Sequence, residues 1–254
     1  MTGTIASSLL VTFLLATVRA AAFLTIAPPF ATKAVPPTVK ALLAAAMALL
    51  VTPRAVGRPP SLETGALLTA LAEQVLVGAA LGFLTALVFA AVQSAGDLID
   101  LFGGFSLAFA FDPLMQTGNS VFGKLYGQLA TTLLFISGGH LLMLRGFLAT
   151  YRAVPLDAAL SLGSLDDLLT TGLARLFVAA LQIAGPLIAV LFLADVALGL
   201  LTKVAPALNA FSLGFPAKML LTIIVVGMAL PAFPGLVDGL TDQMVGTISA
   251  VTGR

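Results

Sequence analysis

From Gly65 to Val92 the chain carries one ionisable side chain, Glu73, in a run made mostly of Leu, Ala, Val, Phe and Gly. About 20 such residues suffice to cross the hydrocarbon of a bilayer as a helix. A helix on a water-solvated domain keeps a charged face opposite its apolar stripe, and this run has none. The same holds for Ile5 to Ala27, which is interrupted by Arg19 and ended by Pro28-Pro29, for Leu125 to Leu144, for Leu173 to Leu201 and for Lys218 to Val237. A shorter run, Val39 to Val51, stops before Pro53. At this length per span there are roughly six hydrophobic segments.

Composition supports the same class. Charged residues make up 9% and hydrophobic residues 59%, whereas soluble domains carry about 25% charge. Twelve basic and eleven acidic side chains cannot cover a water-facing surface of 254 residues. The runs do not alternate at period two, which argues against a β-barrel. The expected fold is all-α: a polytopic, membrane-type helical protein with broken helices and helical hairpins, forming one domain over residues 1–254. A net charge of +1 argues against a nucleic-acid partner. The absence of cysteine excludes disulfides, thiolate metal sites and thiol catalysis. Met1 to Thr4 lack the basic start of a signal peptide.

Two features do not suit simple lipid solvation. Trp is absent and the only Tyr residues are Tyr126 and Tyr151, although polytopic proteins enrich both at the headgroup interfaces. The connection holding Lys33 and Lys40 is basic, and so is the next one, with Arg54 and Arg58. If both early runs cross, these lie on opposite sides, against the usual bias. Much of the apolar surface is therefore expected to meet protein. Three G-x-x-x-G pairs, Gly78/Gly82, Gly123/Gly127 and Gly235/Gly239, are candidates for close helix approach.

Candidate chemistry is sparse. His140 is the only histidine. Without cysteine it cannot complete the usual zinc site, and no G-x-S-x-G elbow accompanies it. A hydrogen-bonded helix-end histidine is the favoured reading. Asp195 lies in an apolar run, a costly place for a carboxylate and a functional candidate for that reason. A proton or ion relay is one reading. A helix end or an interchain salt bridge is the other, with Lys203 eight residues on. Asp97 and Asp100 share a helical face and read as a solvated or partner-facing edge. No nucleophile–base pair or metal set is present, so no enzyme activity, cofactor or metal is expected.

Residues 93–124 interrupt the apolar pattern. Their centre, GGFSLAFAFDPLMQTGNS from Gly103 to Ser120, combines Phe105, Phe109 and Phe111 with turns at Asp112-Pro113 and Gly118-Asn119, and with Met115 and Gln116 between them. Irregular backbone at membrane depth is tolerated where it is buried in protein or lines a cavity. The residues leave two readings open: a constriction or plug, and an ordinary interhelical loop. The mixed segment from Arg145 to Gly172 reads as a connecting loop, with a helix start near Ser164.

The stretch GDLIDLFGGFSLAFAFDP at Gly96 to Pro113, followed by GQLATTLLFISGGHLLML at Gly127 to Leu144, resembles the centre of the FliR family. These are export-gate proteins of the flagellar type III secretion system, with counterparts in virulence systems. LLTKVAPALNAFSLGFPAK at Leu200 to Lys218 is similar to the family's most recognisable segment, through Lys203, Pro206, Asn209, Gly214, Phe215 and Pro216. Arg19, Pro28 and Pro36 fit its opening. The resemblance covers about residues 10–240. Where the family often has Arg, this chain has Lys203, which keeps the charge without the guanidinium fork.

The resemblance implies a non-enzymatic subunit that joins FliP and FliQ in a helical pore at the base of the flagellar rod. FlhB packs on that complex, FlhA lies beneath it, and unfolded flagellar proteins pass through. It implies an inner-membrane location with the gate raised toward the periplasm. Carried onto this chain, the plug spans Phe105 to Ser120, including Phe109, Phe111, Asp112, Pro113, Met115, Gln116 and Asn119. Arg19, Pro28, Pro36, Lys203, Pro206, Asn209, Gly214, Phe215 and Pro216 become structural or interface residues. The competing reading from the residues is a small-solute or ion transporter using Asp195, with helices broken at Pro186 and Pro206.

Overall fold

A computed structural model describes residues 2–55, 63–106, 120–156, 162–205 and 210–250. All regular structure among them is helical: α1 (Thr2–Ile26), α2 (Pro37–Ala55), α3 (Thr64–Gly103), α4 (Val121–Ile136), α5 (Gly139–Ala153), α6 (Leu162–Val204), α7 (Ala210–Ala229), a short 3-10 turn (Leu230–Ala232) and α8 (Phe233–Ala250). This is the expected all-α membrane-type fold. Four helical stretches among the described residues are long and apolar enough to cross a membrane: Ser7–Ile26, Thr64–Gly103, Leu169–Val204 and Gly214–Gln243. Helix α2, the short second run, falls below that length.

Helix hydroxyls are handled as an apolar medium requires. Thr12 donates to Ser8 O at 2.8 Å, Thr52 to Ala48 O at 2.7 Å and Thr85 to Leu81 O at 3.0 Å. Each bonds a carbonyl one turn back, so these three hydroxyls are satisfied within their own helix.

Two boundaries differ from the sequence expectation. Helix α3 does not break at residue 93; it continues to Gly103 over 40 residues. Ala95, Ile99 and Asp100 are buried on one side, while Gln93, Asp97 and Leu101 are exposed. The helix ends where Gly104 takes φ +85°, the left-handed conformation that stops a helix without steric cost. The first part of the expected loop, from Arg145, is also helix, whereas the helix start expected near Ser164 is found, two residues earlier. Helix α5 occupies residues through Ala153 and α6 begins at Leu162. Arg145 and Arg152 stand outside while Phe147, Thr150 and Tyr151 are buried. Between α4 and α5 the chain breaks at Gly138, with φ +76°.

The chain forms two compact units. One comprises residues 1–88, 134–173 and 238–254; the other comprises 89–133 and 174–237. In the first, α1 and α2 form a hairpin. Its core joins Leu15, Ala20 and Phe23 of α1 to Met47 and Ala48 of α2 and to Phe147 of α5. Phe23 stacks on Phe147 with centroids 4.2 Å apart. Small residues let α3 press on α1: a Cβ on Gly78 would meet the Arg19 carbonyl, and one on Gly82 would lie 3.0 Å from Ile26 Cβ. The Gly78/Gly82 pair is thus a real helix contact. Gly127, Gly235 and Gly239 have no neighbour within 4 Å of a Cβ position, so the other two pairs do not act as paired contacts within this chain. In the second unit, Gly96 of α3 meets the start of α4, and Tyr126 of α4 lies against Phe233 with centroids 4.9 Å apart.

Candidate functional site

Of the plug residues expected from sequence, Phe105 is described. Phe109, Phe111, Asp112, Pro113, Met115, Gln116 and Asn119 lie outside the described residues. What the structure does define is the two ends of that segment. At its start, Gly103 packs so closely that a Cβ would stand 2.7 Å from Thr222 Cγ2 of α7. The buried Thr222 hydroxyl is 2.8 Å from Lys218 O and 3.4 Å from Gly103 O. A Cβ on Gly104 would meet the Phe215 ring at 3.2 Å. Phe105 is half-buried, edge-on to Phe122 with centroids 5.1 Å apart. At the far end, Ser120 caps α4: its Oγ accepts from Gly123 N at 2.7 Å, an N-cap bond to one of the helix's free amides.

The two ends meet at Asp100. The sequence reading placed it on a solvated or partner-facing edge, but it is 1% exposed. Its Oδ2 accepts from Ser120 Oγ and, at 3.1 Å, from Phe122 N. Those donors offset the desolvation that an unpaired buried carboxylate would suffer. Its Oδ1 has no partner among the described residues. Asp97, one turn back, is exposed as expected.

Arg19 organises the other unit. It is completely buried, yet no carboxylate faces it among the described residues. Its Nε donates to Gln74 Oε1 at 2.7 Å and its Nη1 to Val154 O at 2.9 Å. Its guanidinium lies 4.6 Å from the Tyr151 ring centroid. Gln74 Nε2 donates to Leu156 O at 3.2 Å, and Tyr151 OH to Ala16 O at 2.8 Å. One planar fork thus ties α1, α3 and the end of α5, using neutral acceptors and a π face. Pro28 and Pro36 sit in and just after the turn between α1 and α2, and the Pro36 carbonyl accepts from Val39 N at 3.0 Å.

Asp195 does not pair with Lys203. It meets Lys218 of α7, with Nζ 2.6 Å from Oδ1 and 2.7 Å from Oδ2. The Asp195 side chain is 45% exposed and the Lys218 side chain 15%. Around the pair the surface is apolar: Phe192, Leu193 and Val196 on α6, and Leu220, Ile223 and Ile224 on α7 are exposed. Helix α6 passes through Pro186 without ending. Lys203 is exposed near the end of α6, and Pro206 and Asn209 lie outside the described residues. Gly214 is buried, with a Cβ position 3.5 Å from Leu198 Cδ1, Phe215 is half-buried and Pro216 is exposed within α7. His140 stands in the first turn of α5, 4.9 Å from Phe135 ring to ring. It is a helix-end histidine, but its buried Nδ1 lacks the expected hydrogen bond among the described residues. Among the described residues no three His, Cys, Asp or Glu side chains are grouped to hold a metal.

Sequence reasoning passed over Gln74, Ser120, Tyr151, Lys218 and Thr222. Ser120 alone carried a local signal, as a residue with N-cap chemistry directly before an apolar helix.

Comparison with known proteins extends these observations. A family model described as bacterial export proteins, family 1, matches residues 10–244. The flagellar biosynthetic protein FliR of Pectobacterium carotovorum subsp. carotovorum is 31% identical over 227 residues, covering 89% of this chain and 87% of that protein. FliR of Bacillus subtilis is 31% identical over 220 residues, 84% of each. A virulence-system relative, Yop proteins translocation protein T of Yersinia pestis, is 30% identical over 176 residues, 68% of this chain and 67% of that protein.

Proposed function

The chain belongs to the bacterial export proteins of family 1, and from that premise we propose that it is a non-enzymatic core subunit of the flagellar type III secretion export gate. In this reading it assembles with FliP and FliQ into the channel for unfolded flagellar proteins, with FlhB and FlhA as further partners. It sits in the bacterial inner membrane at the flagellar basal body, with the gate raised toward the periplasm. The segment from Phe105 to Ser120 contributes a plug. The flagellar assignment follows the greater coverage by the flagellar relatives.

The observation that carries the reading is the Asp195–Lys218 pair on an exposed apolar face. Helices of 40 and 36 residues are about 60 and 54 Å long at 1.5 Å per residue. The hydrocarbon core is about 30 Å thick. Lipid cannot solvate such lengths, and an ion pair half open to hydrocarbon is costly. Neighbouring protein covers both. A transporter using Asp195 fits less well, because that carboxylate is already held by Lys218 on an unbroken helix.

Co-purification with FliP and FliQ, followed by mass measurement of the intact complex, tests the assembly. A chain that purifies alone and stays monodisperse counts against it. Met115→Gly or Phe109→Gly should make cells holding the assembled complex leaky to ions or small solutes, and an unchanged leak removes the plug role. Asp195→Asn should impair assembly or export. Selective loss of one solute's uptake instead would favour the transporter.

A further inference from the structure

We propose that the corner between α4 and α5 is a lipid anchor: Phe135, Ile136, Leu141 and Leu142 enter the acyl edge of a bilayer, while Arg145 and Arg152 meet anionic lipid headgroups. The proposal goes beyond the export-gate reading and takes from it only the presence of a bilayer.

The corner is written locally in the sequence. Between Lys124 and Arg145 the only ionisable side chain is His140. Gly138, with φ +76°, ends one helix and opens the next. Around that break Phe135, Ile136, Leu141 and Leu142 all stand exposed, Ile136 at 76%. The corner is nevertheless held firmly from its inner side. A Cβ on Gly139 would stand 2.8 Å from Leu134 Cδ1 and 3.1 Å from Thr241 Cγ2 of α8, and Leu134 and Met143 are buried. The inner side is packed and the outer side is apolar and uncovered. A cluster of this kind gains free energy by leaving water.

The charge pattern selects lipid as its cover. Every charged side chain of α5 is basic. Arg145 and Arg152 are exposed, and neither meets a carboxylate among the described residues. Arg145 follows Leu141 by four residues and Leu142 by three, so the three share a face. It stands about 5–6 Å further along the helix axis, and its stem carries the guanidinium further toward water. Interfacial helices have this layout: apolar side chains sink about 5–10 Å and cations stay with the headgroups. Anionic lipids attract such cations. The exposed face of α6 and α7 differs, because an Asp195–Lys218 ion pair interrupts it.

The break sets the depth. Gly138 N donates to Phe135 O at 3.3 Å and Leu141 N to Gly138 O at 2.9 Å. No side chain caps α5, so its first amides lack a partner within the helix. The hydrocarbon centre offers them no acceptor. Headgroup oxygens and interfacial water do, which places the corner at the bilayer edge.

The chain has no Trp, so an introduced Trp reports its own surroundings. The test uses the assembled export complex, reconstituted in vesicles of phosphatidylethanolamine and phosphatidylglycerol, with the parent complex as background. Ile136→Trp and Leu142→Trp probe the corner, and Leu193→Trp probes the α6 face. Quenching is measured with iodide in the water and with bromine placed either high on the acyl chain or near its end. Both corner probes should lose about half of their emission to the high bromine and respond about threefold less to iodide than free tryptophan does. Arg145→Glu, added to Ile136→Trp, should lower that bromine quenching about twofold when phosphatidylglycerol is present.

Strong iodide quenching at the corner means that it faces water, and quenching by neither agent means that neighbouring protein covers it. Stronger quenching by the deep bromine means that it passes below the interface. Each of these overturns the anchor. Unchanged quenching in Arg145→Glu overturns the headgroup contact. Where Ile136→Trp yields no complex, Leu142→Trp decides on the same terms. Bromine quenching of Leu193→Trp as well would uphold the anchor and count against protein cover on α6, so the two readings fail separately.

Discussion

Gly78→Ala and Gly127→Ala change stability in opposite directions, although both glycines stand in the same G-x-x-x-G spacing. A Cβ at position 78 would fall on the Arg19 carbonyl oxygen and 2.9 Å from Ala22 Cβ. Carbon atoms in contact prefer about 3.5–4.0 Å, so α1 and α3 must part by roughly 1 Å at that crossing. The obstacle is backbone and cannot rotate aside. The displacement also pulls on the Arg19–Gln74 bond made at the same level. Overpacking of this kind costs about 1–3 kcal/mol, and the helix propensity gained from Gly to Ala returns up to about 1 kcal/mol. A backbone obstacle places the cost in the upper part of that range, at about 2–3 kcal/mol, so the net loss is about 1–2 kcal/mol. Gly127 has nothing within 4 Å, so there the propensity gain stands alone. For a chain of this size about 1 kcal/mol moves the midpoint by roughly 2–4 °C. Thermal unfolding of the detergent-purified chain should therefore fall by about 2–8 °C for Gly78→Ala and rise by about 2–4 °C for Gly127→Ala. Far-UV circular dichroism is the suitable probe, since the chain has no Trp. Equal shifts, or a stabilised Gly78→Ala, would refute the claim that Gly78 is a backbone contact and Gly127 an open site.

Three further outcomes follow from named contacts. Arg19→Lys keeps the charge but cannot reach both Gln74 Oε1 and Val154 O or stack on Tyr151; it should destabilise the chain by about 2–4 kcal/mol, read as a lowered unfolding midpoint. Tyr151→Phe removes one hydrogen bond to Ala16 O and should cost about 1 kcal/mol; combined with Arg19→Lys it should cost less than the sum, because the two side chains share one cluster. Lys218→Met strands Asp195 on an apolar face and should sharply reduce recovery of the assembled complex, whereas Lys218→Met with Asp195→Leu should restore much of it, since removing both charges of a covered pair is far less damaging than removing one. Equal recovery of the single and double variants would mean that water, and no partner, meets that face.

How far the sequence carried depended on whether a property was local. Apolar run length is local, and it located most of the long helices. Proline and glycine stops are local too, so the turn after Ile26 was legible. The misreadings share one cause. Asp100 looked like an edge residue because a carboxylate was judged by its own charge, without sight of Ser120 and Phe122, which supply its donors from the next helix. The helical stretch from Arg145 to Ala153 looked like a loop because Pro155, Asp157, Asp166 and Asp167 set the character of the whole window, although Phe147 and Tyr151 turn inward. Asp195 was read as a relay carboxylate, a helix end or an interchain salt bridge, when Lys218, on the following helix of the same chain, holds it. Arg19 was noticed only as a motif residue. Its importance lies in Gln74 and in two backbone carbonyls, Val154 and Leu156, and no side-chain pattern reports a carbonyl. In a chain this apolar each polar side chain must find a partner, and the partner's distance along the sequence is set by which helices meet. Counting charges locates the helices of such a protein. Locating its working residues requires following each buried donor and acceptor to the helix that completes it.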